Sequence, residues 1–310
     1  MKNYKIKIVF IVVLIFCTIY LFMSNNKQII FIKSTELNST LITFDLETDI
    51  NRDNNLIFCS TIIDALKQVE GINKKANNNF LMENDRYIES KIIHENNIAI
   101  YANLRKTLSF IEPYEKLKTP IIFYINDHNA SVPGFGIESY NENNYKHKLI
   151  NKQFQVIYFK LFDRTNKFIV KLLSNDSDEI ILSTAFIGKT LQESYETIQY
   201  KVDNNEENYV FTEKSTIQIP KINFSISHLF KELIGKKLNQ NIIESAIQDI
   251  SFKLDEQGAT LSSISTIYST KSTGLNIIFN GPFILYIKKK IENLPYFMLY
   301  IVNDELFSKR

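Results

Sequence analysis

Few side chains in this sequence stand at spacings that do chemistry. The four histidines, His94, His128, His147 and His228, lie far apart, with no H-E-x-x-H pair and no cysteine partner nearby. No metal is therefore expected, and the histidines read as surface or polar-core residues. No G-x-S-x-G elbow, P-loop or dinucleotide fingerprint occurs. Gly134-Phe135-Gly136, after Pro133, reads as a turn, and Glu206-Glu207 as a solvated loop rather than an acid/base pair. Lys288-Lys289-Lys290 could touch a phosphate or a heparin-like polymer, but it reads first as the charged tip of a hairpin that guards an edge strand. The sequence points away from an enzyme, and no cofactor is expected. One chemistry remains. Lys271-Ser272 is a basic-small pair in an otherwise uncharged stretch, and a trypsin-like protease reads such a cation in an acidic pocket. The plainer role for Lys271 is a solubilising loop residue, and the two readings weigh about equally.

The elements that would hold this bond span residues 250–283. Ile250, Phe252 and Leu254 alternate with Ser251 and Lys253, the pattern of a half-buried strand. Residues 276–279 are again apolar and β-prone, and they lead through Pro282-Phe283 into a second strong strand at residues 284–287. Between the two lies a connection with Gly258 at its start and Gly274 near its end. Connections of that length without their own helix are uncommon and usually functional or disordered. Residues 259–270, ATLSSISTIYST, carry no charge and no proline. Their β-branched and small side chains suit a strand, which proteins normally blunt with Lys or Pro when it is left unpaired.

This stretch resembles the serpin family of protease inhibitors, whose exposed reactive loop inserts as an extra strand into the main sheet. Asp255-Glu256-Gln257-Gly258-Ala259-Thr260 is similar to the family's acidic-Gly-small hinge, and Phe279-Asn280-Gly281-Pro282-Phe283 to its F-N-x-P-F motif. The resemblance implies an α+β fold with a large central β-sheet, helices and a reactive loop near the C-terminus. It assigns Glu256, Gly258, Ala259 and Thr260 to the loop hinge and places the reactive bond near Lys271 and Ser272, although strict counting from Gly258 puts Ser272 before the cut. On insertion Ala259, Leu261, Ser263, Ser265 and Ile267 would face inward, so no charge is buried. The implied function is suicide inhibition of a serine protease. The alternative is a non-inhibitory binding module on the same scaffold, and a third reading is an unrelated α+β ectodomain.

Further matches follow in the family's order. Asn55-Leu56-Ile57-Phe58-Cys59-Ser60 resembles an extended lead into an amphipathic helix, and residues 98–103 resemble a strand ending in Ala-Asn. Thr165-x-Lys167-x-Ile169, followed by Ile181-Leu182-x-x-Ala185-Phe186-x-Gly188, is similar to a helix end and a central sheet strand. Thr190 or Leu191 then stands where the family carries a tryptophan that packs where the sheet opens. Residues 217–222 resemble a strand, with a helix after it through Leu229, Leu233 and Gly235. Only 32 positions separate Gly188 from Pro220, so a large deletion, including a hairpin of the second sheet, is expected there. Residues 284–304 look like the hairpin that closes the fold.

With 310 residues, 45% of them hydrophobic, the chain can bury a sizeable core, and a net charge of +2 gives no case for nucleic acid. Lys2, Lys5 and Lys7 precede sixteen residues, 8–23, that are apolar but for Thr18. They read as an uncleaved membrane anchor with the basic end in the cytoplasm, or failing that as a signal peptide. Residues 1–26 are thus the anchor segment and 27–310 the serpin-like domain, on the far side of a membrane or secreted. The two cysteines, Cys17 and Cys59, make no disulfide framework. Sequons at Asn38, Asn129, Asn175 and Asn223 permit glycosylation without arguing for it.

Overall fold

The computed structural model describes residues 29–71, 78–83, 86–94, 97–126, 128–162, 165–174, 178–205, 207, 209–257 and 274–309. The chain divides into two units, Met1–Phe31 and Ile32–Arg310, and every sheet below belongs to the second. Among the described residues no helix is long and apolar enough to cross a membrane; the apolar run at residues 8–23 lies outside them.

The fold is α+β, built on two seven-stranded sheets. The main sheet runs β1 (Ile32–Lys33), β15 (Ile222–Leu229), β17 (Asn241–Leu254), β6 (Asn97–Thr107), β5 (Arg86–His94) and β4 (Asn78–Glu83), with β16 (Lys237–Leu238) beside the start of β17. The second sheet runs β11 (Phe154–Phe162), β12 (Thr165–Leu173), β13 (Asp178–Ser183), β19 (Phe283–Lys289), β20 (Phe297–Ile301), β3 (Asn55–Cys59) and β2 (Thr40–Thr43). A small sheet joins β18 (Asn276–Ile278), β14 (Thr216–Pro220), β10 (Gly134–Ile137) and β7 (Glu115–Lys116), and β8 (Ile121–Tyr124) pairs with β9 (Asn129–Val132). The described α-helices are α1 (Thr61–Gly71), α2 (Tyr145–Asn151) and α3 (Leu191–Asp203).

Alternation decides which face each strand buries. In the second sheet both faces are apolar. Phe283, Leu285, Ile287, Phe297, Leu299 and Ile301 join the core shared with the main sheet, while Ile284, Tyr286, Met298 and Tyr300 pack beneath α3. In the main sheet only one face is apolar. Ala246, Ile250, Phe252 and Leu254 of β17 and Ile98, Ile100, Ala102 and Leu104 of β6 are buried there. Its half near the start of β6 is covered by Ile62, Ala65 and Val69 of α1. The other half lies against the second sheet, with Phe252 and Phe297 ring centroids 4.8 Å apart.

Several sequence expectations need correction. Thr165–Leu173 is not a helix end but strand β12, and residues 181–188 lead out of β13 in the second sheet. The central strand of the main sheet is β6, which holds the Ala102-Asn103 pair. A hairpin of the second sheet, β11–β12, lies before Gly188. The expected helix after Leu229 is one 3-10 turn, Lys231–Leu233, ended by Gly235 at φ +81°. Gly134-Phe135-Gly136 is strand rather than turn. A Cβ on Gly136 (φ +143°) would sit 1.9 Å from the Ile217 carbonyl oxygen, so glycine is required by the approach of β14. Lys288 is no hairpin tip: it is buried in the interior strand β19 and pairs with Glu179 at 3.1 Å. Burial pushes the Glu179 carboxyl up, but Lys171 and Lys288 together hold it below the ordinary value.

Candidate functional site

In the middle of the main sheet, β17 and β6 run parallel, paired from Ile242 opposite Asn97 to Lys253 opposite Thr107 with a one-residue register shift between Ile243 and Ser245. On either side the sheet continues antiparallel, β15 with β17 and β5 with β6. Parallel neighbours need a long crossover, and here it is the chain between residues 107 and 241, which includes β11, β12 and β13 of the second sheet and α3. A seam of this kind has one geometric property. A strand running opposite to both partners could enter it and make two antiparallel ladders where one parallel ladder stood, and antiparallel pairing is slightly the more stable per residue.

Both seam strands leave the sheet at the same end. After β6, Leu108 still donates its backbone N–H to the Lys253 carbonyl at 3.3 Å. Phe110 then buries its ring among Tyr114 (centroids 4.8 Å apart) and Phe135 (6.1 Å). Phe110 is the buried aromatic side chain that follows β6 at this end of the sheet. Thr190 and Leu191 lie elsewhere: Thr190 caps α3 by accepting the Glu193 N–H at 3.1 Å, and Leu191 is buried beneath the second sheet. After β17, Lys253 pairs with Asp255 at 2.6 Å, the Gln257 N–H donates to Asp255 Oδ1 at 2.9 Å, and Glu256 pairs with Lys221. Glu256, the first of the expected hinge residues, is thus held against the start of β15. Gly258, Ala259, Thr260, Lys271 and Ser272 lie outside the described residues.

The chain returns at Gly274. The Leu275 N–H donates to Ser215 Oγ at 2.9 Å, and β18 pairs parallel with β14 in the small sheet. Phe279 anchors the return, edge-on to Phe168 and Phe283 at 4.8 and 5.3 Å.

Polar contacts restrain the seam from both faces. On the outward face the Tyr101 hydroxyl of β6 donates to Asp249 Oδ2 of β17 at 2.7 Å and accepts from Asn103 Nδ2 at 3.3 Å. Burial, reinforced by Asp249, pushes the Tyr101 hydroxyl up to about 12. On the inward face Gln248 Nε2 donates to Thr61 Oγ1 at 2.7 Å and to the Cys59 carbonyl at 3.3 Å, joining β17 to the start of α1. Nearer the open end Lys106 of β6 pairs with Asp178 of the second sheet at 2.6 Å, both buried, and Asp178 also accepts the Tyr296 hydroxyl at 2.9 Å. Breaking such a pair by removing one partner leaves an uncompensated buried charge.

None of these seam residues stood out in the sequence as functional. The one available signal is a polar residue at an inward position of an alternating strand: Gln248 between Ala246 and Ile250, and Lys106 after Leu104. Tyr101 and Asp249 gave no signal, because their pairing depends on strands brought together from distant parts of the chain. Among the described residues no cluster of three His, Cys, Asp or Glu could hold a metal.

No protein-family model matches the chain, and no curated protein matches it by sequence. Among solved structures, mouse protein-Z dependent protease inhibitor is similar at 14% identity and a TM-score of 0.46, over 69% of this chain and 57% of that one. Native protease nexin-1, solved with heparin, is similar at 12% identity and a TM-score of 0.44, over 67% of this chain and 57% of that one. Both are serpins. The chain spans little more than half the length of each.

Proposed function

We propose that this chain is a serpin-like inhibitor of serine proteases that works as a suicide substrate. The observation that carries the reading is the parallel seam between β6 and β17, with the uncharged residues 259–270 following β17 directly. A segment that turns back from the end of β17 runs antiparallel to it, and so to β6 as well. The target's serine hydroxyl attacks the Lys271 carbonyl carbon, the Lys271–Ser272 amide bond breaks, and the Ser272 amine leaves with a proton. Lys271 is then held as an acyl ester on the protease, while residues 259–270 are free to enter the seam and draw the protease with them before water completes hydrolysis. A lysine before the cut calls for a trypsin-like protease. If Ser272 precedes the cut instead, the target reads a small residue. An anchor at residues 8–23 would hold this domain against the outer face of a membrane.

A second reading has its own support. The Tyr101–Asp249, Gln248–Thr61 and Lys106–Asp178 contacts tie the seam and its flanks in the closed state, which favours a binding module that kept the scaffold without the insertion. Incubation with trypsin-like proteases separates the two. The inhibitor gives an adduct that survives SDS, and cleavage in the loop raises the melting temperature. A chain cut at Lys271 with no adduct and no change in melting temperature sinks the inhibitor reading in favour of the binding module.

A further inference from the structure

The hairpin of β8 and β9 carries the sequon Asn129-Ala130-Ser131 at the start of its second strand. Alternation turns Ala130 and Val132 into the core and leaves Asn129 and Ser131 exposed. The first strand alternates in the same way, with Ile121 and Phe123 buried and Ile122 and Tyr124 outside. The register sets Tyr124 opposite Asn129 and Ile122 opposite Ser131. Both ends of the sequon and both outward side chains of β8 therefore share one face. An antiparallel pair with one face on a core is expected to be polar on the other. β9 obeys that rule and β8 does not: Ile122 is 46% exposed and Tyr124 55%.

Backbone bonding fixes how near Tyr124 and Asn129 lie. The Ile125 N–H donates to the His128 carbonyl at 3.0 Å, whereas the Tyr124 N–H turns away from β9 and donates to the Asn280 carbonyl at 2.8 Å. Tyr124 and Asn129 thus form a non-hydrogen-bonded pair, the kind in which Cα atoms stand about 4.5 Å apart and side chains are closest. A sugar linked to Asn129 Nδ2 would start beside an exposed aromatic ring. The weakly positive C–H bonds of a sugar suit the negative face of such a ring. The other two described sequons are set differently. Asn223 lies opposite Lys253 on the outward face of the main sheet. Asn38 stands just before β2, where the Glu305 carboxylate accepts the Asn38 and Ser39 N–H groups at 2.7 and 3.0 Å and the Thr40 hydroxyl at 2.6 Å.

We propose that Asn129 is an N-glycosylation site and that Tyr124 packs against the first sugar of its glycan. The donor is a lipid-linked diphosphate oligosaccharide. The Asn129 amide nitrogen bonds to the anomeric carbon of the sugar and gives up a proton, and the lipid diphosphate leaves. Attached there, the glycan covers the apolar outward side chains of β8 and keeps them from other chains. This rests on the reading that an anchor segment carries the domain across a membrane. The full chain, expressed through a eukaryotic secretory pathway, tests it. Peptide mass spectrometry should find a glycan on Asn129, and Asn129→Gln should remove one step of gel mobility. Tyr124→Ala should lower the melting temperature of the glycosylated chain by about 2 °C. In the Asn129→Gln chain it should cost clearly less, the signature of direct coupling between the ring and the sugar. An equal loss in the two chains overturns the role of Tyr124. If Asn129 is bare while another sequon carries sugar, the site is wrong and passage across the membrane stands. If no sequon carries sugar, the anchor reading fails and the site fails with it.

Discussion

The two seven-stranded sheets are made from similar residues to opposite ends. In the second sheet β19 and β20 are interior strands with every residue from Phe283 to Lys288 and from Phe297 to Ile301 buried, so each face is sealed by a core. In the main sheet one face is buried and the other carries Asn223, Ser225, Ser251, Asp249, Tyr101 and Arg105. Its centre is a parallel pair joined by a backbone ladder and a few polar side-chain contacts, with two buried acceptors, Gln248 Oε1 and Asp249 Oδ1, that have no partner. A strand buried on both faces can be displaced only by tearing open two packed layers at once. A strand with one wet face can separate from its neighbour at much smaller cost. The contrast separates a sheet sealed by a core on both faces from a sheet sealed on one.

The largest effect should come from the sheet sealed on both faces. Phe283→Ala removes a fully buried ring that meets Phe123 and Phe279, and should cost about 3–5 kcal/mol. Chemical denaturation should show the same loss before and after cleavage of the loop; a loss confined to one state would break the contrast between the sheets.

Tyr101→Phe should do the reverse. Removing one hydrogen bond across the seam should cost about 1 kcal/mol, and only in the uncleaved chain, where β6 and β17 are neighbours. Alkaline titration sharpens the point. The folded hydroxyl is raised from 10.0 to about 12, so its contribution to stability is complete below pH 10 and is lost as pH climbs through about 12. Tyr195 of α3, packed beneath the second sheet and raised to about 12 by burial and then by Asp203, Glu179 and Glu196, adds a loss in the same window. Tyr101→Phe should therefore remove part of the alkaline loss, and that part should be absent from the cleaved form; an unchanged alkaline profile in the uncleaved chain would show that the seam hydrogen bond contributes nothing.

The smallest effect lies at the margin of the main sheet. His228 on β15 shares a 2.7 Å hydrogen bond with Ser34. Burial holds its imidazole below 6.5, against a weaker upward pull from Glu232. The stability it gives is present above pH 6.5 and declines as pH falls through the lower folded value. His228→Gln keeps a hydrogen-bonding group without the titration. The acid side of a melting-temperature profile should then flatten slightly, and a profile identical to the parent's would discount this edge as a source of acid sensitivity.

Much of the fold was legible locally. Period-two alternation announced β17, apolar β-prone runs announced β18 and β19, and the change from an extended run to helical spacing marked the passage from β3 to α1. Local pattern failed where it could not choose between sheets. The β12 sequence, T-N-K-F-I-V-K-L-L, was read through a family match as a helix end, although its β-branched residues suit a strand. Gly136 looked like a turn because the need for glycine came from β14, a strand far away in the chain. Lys288 looked like a surface charge because its partner, Glu179, sits on a strand more than a hundred residues earlier.

By itself, the sequence determined that β17, β18 and β19 would be strands, which face of β17 would be apolar, and that an uncharged, strand-competent segment follows β17. These depend on side-chain periodicity and composition, which are properties of neighbours along the chain. Only the tertiary structure decided that β6 lies parallel to β17, that Tyr101 meets Asp249 across the seam, and that Gln248 is left with an unused acceptor. Those features come from pairing between segments far apart in the chain, and backbone hydrogen bonds take no account of which residues they join. Register and neighbour are therefore fixed by how the cores pack together, which no local window contains.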